Sequence, residues 1–279
     1  MRIHAIQTGT VAIKSKQVSG QGSGPLRLIN VMLDRTWTER LPIYAWVIEH
    51  PEGVIVVDTG ETAHAVEAGY FPRWHPYYKS VREWVRPEEE IGPQLRALGI
   101  TPDDVRWVVM THLHTDHAGG LHHFPKAQIL LSRAEYQAAR GFTGQVRGYL
   151  PQHWPDWFAP ELLDFAPQQF GPFPNSYTLT KAGDVHIVAT PGHTVGHCSV
   201  VVQDDMHTFF FAGDTSYNER LMLEQVVDGV TTNSTVYQET ARQILTYVQS
   251  TPTVYLPSHD PEALQRLETR KPAISVKAE

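Results

Sequence analysis

The stretch His112-Leu113-His114-Thr115-Asp116-His117, followed by Ala118-Gly119-Gly120, governs how the rest of the chain is read. It places three imidazoles and a carboxylate within six residues, directly after the apolar run 107–110. Nitrogen and oxygen donors of this kind suit zinc and similar divalent ions. On a loop leaving a strand, His112 and His114 can turn toward one centre while Asp116 and His117 serve a neighbouring one. The alternative is a solvated, histidine-rich loop, which is what a lone histidine usually signifies. Further donors downstream argue against it.

Those donors recur at equivalent places. His193 follows the run 185–189, in Thr190-Pro191-Gly192-His193; Asp214 follows 208–212, in Ala212-Gly213-Asp214; His259 follows 254–256, in Leu256-Pro257-Ser258-His259. Each lies just past the carboxyl end of an apolar, β-branched segment, and in α/β sheets those ends share the edge where binding crevices form. Five histidines and two aspartates suffice for two ions with a shared carboxylate. Two ions about 4 Å apart can hold a hydroxide between them and polarise a carbonyl.

Working outward, the runs 44–49, 54–57, 128–131 and 199–202 also read as strands. Pro51–Gly53 and Asp204–Asp205 read as hairpin turns. Ile91, Leu95 and Leu98 fall on one helical face, with Pro93 in the first turn and Gly99 as a stop. Ser132 and Glu135 form a capping-box pattern opening a helix to about residue 140. Val236, Tyr237, Ala241, Ile244, Leu245 and Val248 make an apolar helical face that Ser234 can cap. The order is a mixed α/β pattern in one domain, 1–279. Residues 15–25 read as a mobile Gly/Ser-rich loop, and Gly20-x-Gly22-x-Gly24 lacks the helix a nucleotide loop needs, because Pro25 follows. The segments 64–90 and 141–175 read as irregular, aromatic and Pro-rich insertions. Their Tyr70, Phe71, Trp74, Tyr77, Tyr78, Trp154, Trp157 and Phe158 are assigned to core, pocket or interface.

The totals narrow the classes. The chain has 279 residues, 15 histidines, a net charge of −7 and no block of like charge, which speaks against a nucleic-acid footprint. One cysteine, Cys198, cannot form an internal disulfide, and it reads as a small buried residue. No run approaches a membrane span and the N-terminus lacks a continuous apolar stretch, so a cytoplasmic enzyme without a membrane partner is expected. His197 reads as a hydrogen-bonded structural residue, and His122 and His123 as surface residues. Asp58-Thr59-Gly60 matches the aspartic-protease signature, but the second copy that chemistry requires is missing, since Asp214-Thr215-Ser216 lacks the glycine.

His112-x-His114-x-Asp116-His117, together with His193, Asp214 and His259, resembles the metallo-β-lactamase superfamily, from Asp58 to His259. The resemblance implies an α/β fold of the αββα sandwich type. It implies a first ion on His112, His114 and His193, a second on Asp116, His117 and His259, and Asp214 between them. Asp58 would orient a ligand from behind. Asp214-Thr215-Ser216-Tyr217, Ser258-His259-Asp260, and Leu41-Pro42-Ile43-Tyr44-Ala45-Trp46 ahead of Val57-Asp58-Thr59-Gly60 look like the N-acyl homoserine lactonases. Some of these carry an aromatic residue where this chain has Thr115.

That second resemblance implies a quorum-quenching lactonase with two divalent ions, zinc in the first place, with cobalt, iron and manganese as alternatives. The nucleophile would be a metal-bridging hydroxide. Tyr217 would bind the carbonyl oxygen, and Asp116 would carry a proton to the leaving ring oxygen. The partner is a small-molecule lactone, and a homodimer is carried as a further expectation. Hydrolysis of a thioester, another ester, a phosphodiester or a β-lactam is the alternative on the same donors. A flavodiiron redox protein is disfavoured because His114 is not Glu and no flavin domain is appended. A non-catalytic metal sensor is disfavoured by the complete donor set plus Tyr217.

Overall fold

Strands whose side chains are buried on both faces need a layer on each side, and this requirement organises the chain. In the segment Leu41–His50, Tyr44, Trp46 and Ile48 point into one apolar cluster while Ala45 and Val47 point into another. In Thr208–Gly213, Phe209 and Phe211 face the first cluster and Phe210 and Ala212 a third. The two-residue period of a strand produces this division.

The computed structural model describes residues 1–231 and 233–274; the expectations on 275–279 and on the Tyr77 side chain lie outside the described residues. Twelve strands are present among them: β1 (Arg2–Ile13), β2 (Leu41–His50), β3 (Gly53–Val57), β4 (Val81–Trp84), β5 (Val105–Val109), β6 (Gln128–Ser132), β7 (Glu161–Leu163), β8 (Ser176–Thr178), β9 (Val185–Ala189), β10 (Cys198–Gln203), β11 (Thr208–Gly213) and β12 (Thr253–Pro257). They form a seven-stranded sheet, β4-β1-β2-β3-β5-β6-β7, and a five-stranded sheet, β12-β11-β10-β9-β8. The inner faces share one core, in which Trp46, Ile55 and Val109 meet Val200, Phe211 and Leu256. Ile91 and Leu95 of the helix Ile91–Ala97 cover the outer face of the first sheet. Ile244 and Val248 of the helix Ser234–Ser250 cover the second. The layers are αββα.

Direction brings the functional ends together. β3, β5 and β6 are parallel, β11 is parallel to β12, and β9 and β11 each run antiparallel to β10. The carboxyl ends of β3, β5, β9, β11 and β12 therefore open on one edge. Backbone bonds tie the two sheets there: Cys198 N donates to Thr111 O at 3.0 Å and Tyr44 N to Ser258 O at 2.9 Å. The Cys198 thiol is buried, and burial pushes its pKa up.

Several sequence expectations change. β1, the longest strand, carries too little alternation to announce itself; it is buried mainly in its second half and pairs with β2 and β4. The insertion 64–90 contains β4, an edge strand, and 141–175 contains the helix Gly141–Val146 and β7. Residues 15–25 are not a free loop. Ser15–Val18 forms a helical turn, Asp34 accepts from Lys16 N at 2.8 Å, and Gly229 N donates to Gln17 O at 2.7 Å. A helix does follow Gly24, Pro25–Leu33, because proline at the first helical position removes only an N–H that has no partner there anyway.

The aromatic residues divide. Trp154 and Phe158 pack with Tyr136 against the core, Tyr70 stacks on His153 at 4.1 Å, and Trp74 is exposed. The cap of the long helix is Asn233, whose Oδ1 accepts from Val236 N at 3.2 Å, not Ser234. Asn233→Ala should lower unfolding free energy by about 1 kcal/mol. Ser234→Ala should change it by much less, with both read from urea midpoints at constant slope.

Candidate metal centre

Two groups of donors converge at the shared edge. In the first, His114 Nδ1 lies 3.0 Å from His112 Nε2 and 3.1 Å from His193 Nε2. In the second, Asp116, His117 and His259 present ligand atoms to one another, with His259 Nε2 3.2 Å from Asp116 Oδ2. Asp214 stands between. Its Oδ1 is 3.3 Å from His117 Nε2 and 3.4 Å from His259 Nε2, and its Oδ2 is 3.5 Å from His193 Nε2. All seven residues named from the sequence meet here.

The local backbone explains the convergence. The chain leaves β5 at Met110, presents His112 and His114 from an extended loop, then turns through the short helix Thr115–Ala118 that carries Asp116 and His117. Gly213 ends β11 with φ +53°, and a Cβ there would sit 2.6 Å from His197 Nε2, so only glycine delivers Asp214 to its place. His197 is bonded at both nitrogens, to Thr190 Oγ1 at 2.9 Å and from Asp214 N at 3.1 Å. It orients the loop and faces no shared donor point.

Buried partners determine which ring nitrogen each histidine offers. His117 Nδ1 donates to Asp58 Oδ2 at 2.8 Å, His193 Nδ1 to Asp228 Oδ2 at 2.8 Å, and His259 Nδ1 to Pro42 O at 2.9 Å. Thr111 Oγ1 gives its hydrogen to Asp58 at 2.8 Å and so accepts from His112 Nδ1 at 3.1 Å. In these four rings Nε2 is left as the donor atom aimed at the centre, the arrangement expected for metal-ligating imidazoles. Asp58 reaches this position with φ +59°, a conformation unusual for a residue with a side chain. Among the described residues, buried His117 Nε2 and Asp214 Oδ1 make no hydrogen bond of good geometry, although they lie 3.3 Å apart. Buried polar atoms are almost always satisfied, and a divalent cation would satisfy these. The donor set therefore fits metal ions.

Two supporting residues escaped the sequence reading. Asp228 lies in a loop with no pattern around it; its Oδ1 also accepts from Val230 N and Thr231 N. The Ser132–Glu135 capping pattern is not realised, since Ser132 makes no capping bond. Glu135 instead accepts from Leu113 N at 3.2 Å, Tyr149 Oη at 2.9 Å, Thr194 Oγ1 at 2.7 Å and Gly196 N at 3.1 Å, joining the two ligand loops from beneath.

Tyr217 is buried, with its ring stacked on His259 at 5.7 Å and its oxygen accepting from Gln17 Nε2 at 3.0 Å. It lines a cavity with His114, Asp116, His193, Asp214 and His259, and with Val11, Ile13, Val81 and Glu83. Thr115 donates to Glu61 Oε2 at 2.9 Å, and burial pushes the Glu61 carboxyl up to about 8.

Electrostatically the donors divide. Burial, with the neighbouring histidines, pulls His112 well down and His114 down to about 3, so both stay neutral. Burial opposes charge on His259, but Asp214 and Asp116 outweigh it and hold His259 up to about 10. His117 is likewise raised, burial being outweighed by Asp214, Asp58 and Asp116. In the ion-free protein near pH 7, protons therefore occupy Nε2 of His117 and His259, two of the atoms that a cation would use.

An αββα sandwich with two adjoining His/Asp groups at the carboxyl ends of its strands is the scaffold of a metal-centred protein. A sequence profile of the Metallo-beta-lactamase superfamily matches residues 38–259, and the chain belongs to that superfamily. It is 28% identical over 276 residues to the N-acyl homoserine lactonase AttM of Rhizobium radiobacter, covering 94% of each chain. It is 29% identical over 280 residues to the AttM of Azorhizobium caulinodans, again covering 94% of each. The fold matches an N-acyl homoserine lactone hydrolase solved with N-hexanoyl-L-homoserine at its catalytic metal centre, with TM-score 0.76, 21% identity, and 99% and 97% of the two chains covered. It also matches AidC, a dizinc quorum-quenching lactonase, with TM-score 0.65, 14% identity, and 93% and 87% covered.

Asp228→Asn and Asp58→Asn should each weaken divalent-ion binding by about 10- to 100-fold, through His193 and His117 respectively, as read by chelator competition. Because a proton on His259 must leave before an ion binds, affinity should rise with pH from 6 toward the group's pKa of about 10. Titration calorimetry in buffers of different ionisation enthalpy should detect the released protons.

Proposed function

We propose that the chain hydrolyses the lactone ring of N-acyl homoserine lactones at a pair of divalent ions, and so acts as a quorum-quenching lactonase. The observation that carries the proposal is Asp214, which presents one oxygen to His117 and His259 and the other to His193, so that one carboxylate adjoins both donor groups. His112, His114 and His193 would hold one ion, Asp116, His117 and His259 the other, and Asp214 both; zinc suits the mixed nitrogen and oxygen donors. Two such ions supply a hydroxide nucleophile at neutral pH and a Lewis acid for the ester carbonyl.

The chain's own residues do the rest. Tyr217 sits on the wall beside His259, and its phenol supplies a hydrogen bond to the oxygen on which charge develops. Gln17, bonded to that phenol, fixes the oxygen's position. Asp116 is the most exposed donor carboxylate, and its Oδ2 is tied to His259 while Oδ1 is 3.9 Å from His117 Nε2. Burial raises its pKa, but His117 and His259 pull it down to about 2 in the ion-free chain. Water adds across the acyl carbon–ring oxygen bond; Asp116 takes the proton and returns it to the ring oxygen as that bond breaks. Val11, Ile13 and Val81 offer the acyl chain an apolar wall.

Addition of a homoserine lactone to the metal-loaded protein should acidify an unbuffered solution, and a chelator should stop it. Acid release from thioesters alone would assign a different bond. Tyr217→Phe should lower kcat by about 100-fold with ion content unchanged. Equal turnover of every lactone by the variant would remove the tyrosine from the mechanism.

A further inference from the structure

Outside the centre, a second meeting of metal-ligating side chains lies on the far side of the ligand turn. Glu90, just before the helix Ile91–Ala97, meets His122 and His123 of the turn Gly119–His123. Glu90 Oε2 is 2.6 Å from His123 Nε2 and 3.2 Å from His122 Nε2. The three ligand atoms lie within 4.8 Å of one another. We propose that Glu90, His122 and His123 form a further divalent-cation site of the zinc class, separate from the seven-donor centre.

The bonds around the cluster orient it as a ligand set. Glu90 Oε1 accepts from Ala63 N at 2.7 Å and from Thr62 Oγ1 at 3.1 Å, which leaves Oε2 for the two rings. His122 Nδ1 lies 3.2 Å from Gly119 O, and a carbonyl only accepts, so the hydrogen is on Nδ1. In the neutral ring His122 Nε2 then has a lone pair and no hydrogen, yet it faces Glu90 Oε2, which also makes a 2.6 Å hydrogen bond with His123 Nε2. A cation between the three atoms turns that opposition into coordination. An imidazole whose far nitrogen donates to a carbonyl is the usual setting of a metal ligand. His123 approaches closely because residue 92 is glycine: a Cβ there would lie 2.4 Å from His123 Nδ1.

Two imidazoles and one carboxylate suit zinc, cobalt or ferrous ions and leave coordination positions for water. The His122 side chain is 43% exposed, so ions can enter from solvent. A bound ion would clip the segment that continues from Asp116 and His117 to the start of the helix Ile91–Ala97. This inference does not depend on lactone hydrolysis.

Equilibrium dialysis of the full chain against Zn²⁺, and separately Co²⁺, tests it, with bound ion counted by elemental analysis. The wild-type protein should hold one equivalent more than His122→Gln and Glu90→Gln, or bind that last equivalent at least about tenfold more tightly. His122 is partly exposed, so its replacement leaves the core untouched; equal thermal unfolding of the chelated proteins would check this. The difference of one equivalent is readable whatever number the main centre takes. Identical stoichiometry and affinity in wild type and both variants would overturn the site.

Discussion

The structure is arranged around a repulsion. Five imidazoles and two carboxylates, brought to one edge with their ligand atoms 3.0 to 3.5 Å apart, present lone pairs to lone pairs. Such a cluster persists only if positive charge sits within it and if surrounding bonds hold each ring in place. Protons supply the charge in the ion-free chain, as the raised His117 and His259 indicate. Divalent cations suit the same atoms better, since they accept several lone pairs at once.

The αββα sandwich holds these groups in place against their mutual repulsion. Its inner core anchors β5, β9, β11 and β12, whose ends lead to the donors, and β3, whose end carries Asp58. A layer of buried acceptors then holds the rings: Asp58, Asp228 and the Pro42 carbonyl on three of them, and Thr111 on the fourth. Glu135 joins the loops at Leu113, Thr194 and Gly196. The donors are therefore positioned before any ion arrives, and little reorganisation remains for the chemistry to require. The left-handed backbone at Asp58 belongs to the same pattern, a local strain kept where the carboxylate bonds the His117 ring.

The ligand turn serves two directions. One face carries Asp116 to the cavity and buries His117 beside Asp214. The chain then continues through Gly119 to His122 and His123, which meet Glu90 on the other side. His122 and His123, read from sequence as surface residues, are thus only partly so: His123 is mostly covered, and Glu90 is buried.

The seven candidate donors were legible in the sequence because ligand chemistry is local in residue type and because each donor group follows an apolar strand that announces itself. The strands around them were legible where both faces are buried, as in β2 and β11. β1 and β4 were not, since edge and partly exposed strands depend on partners far along the chain. Asp228, Glu135 and Glu90 were invisible for a related reason. A carboxylate becomes a ring's orienting partner, a brace between loops or a candidate ligand only through neighbours supplied by folding, 35 residues away for Asp228 and His193. Residue types and their order along the chain determined which donor side chains the fold would bring to one edge. Only the tertiary structure decided which nitrogen each histidine offers, since that follows from hydrogen bonds between segments remote in sequence.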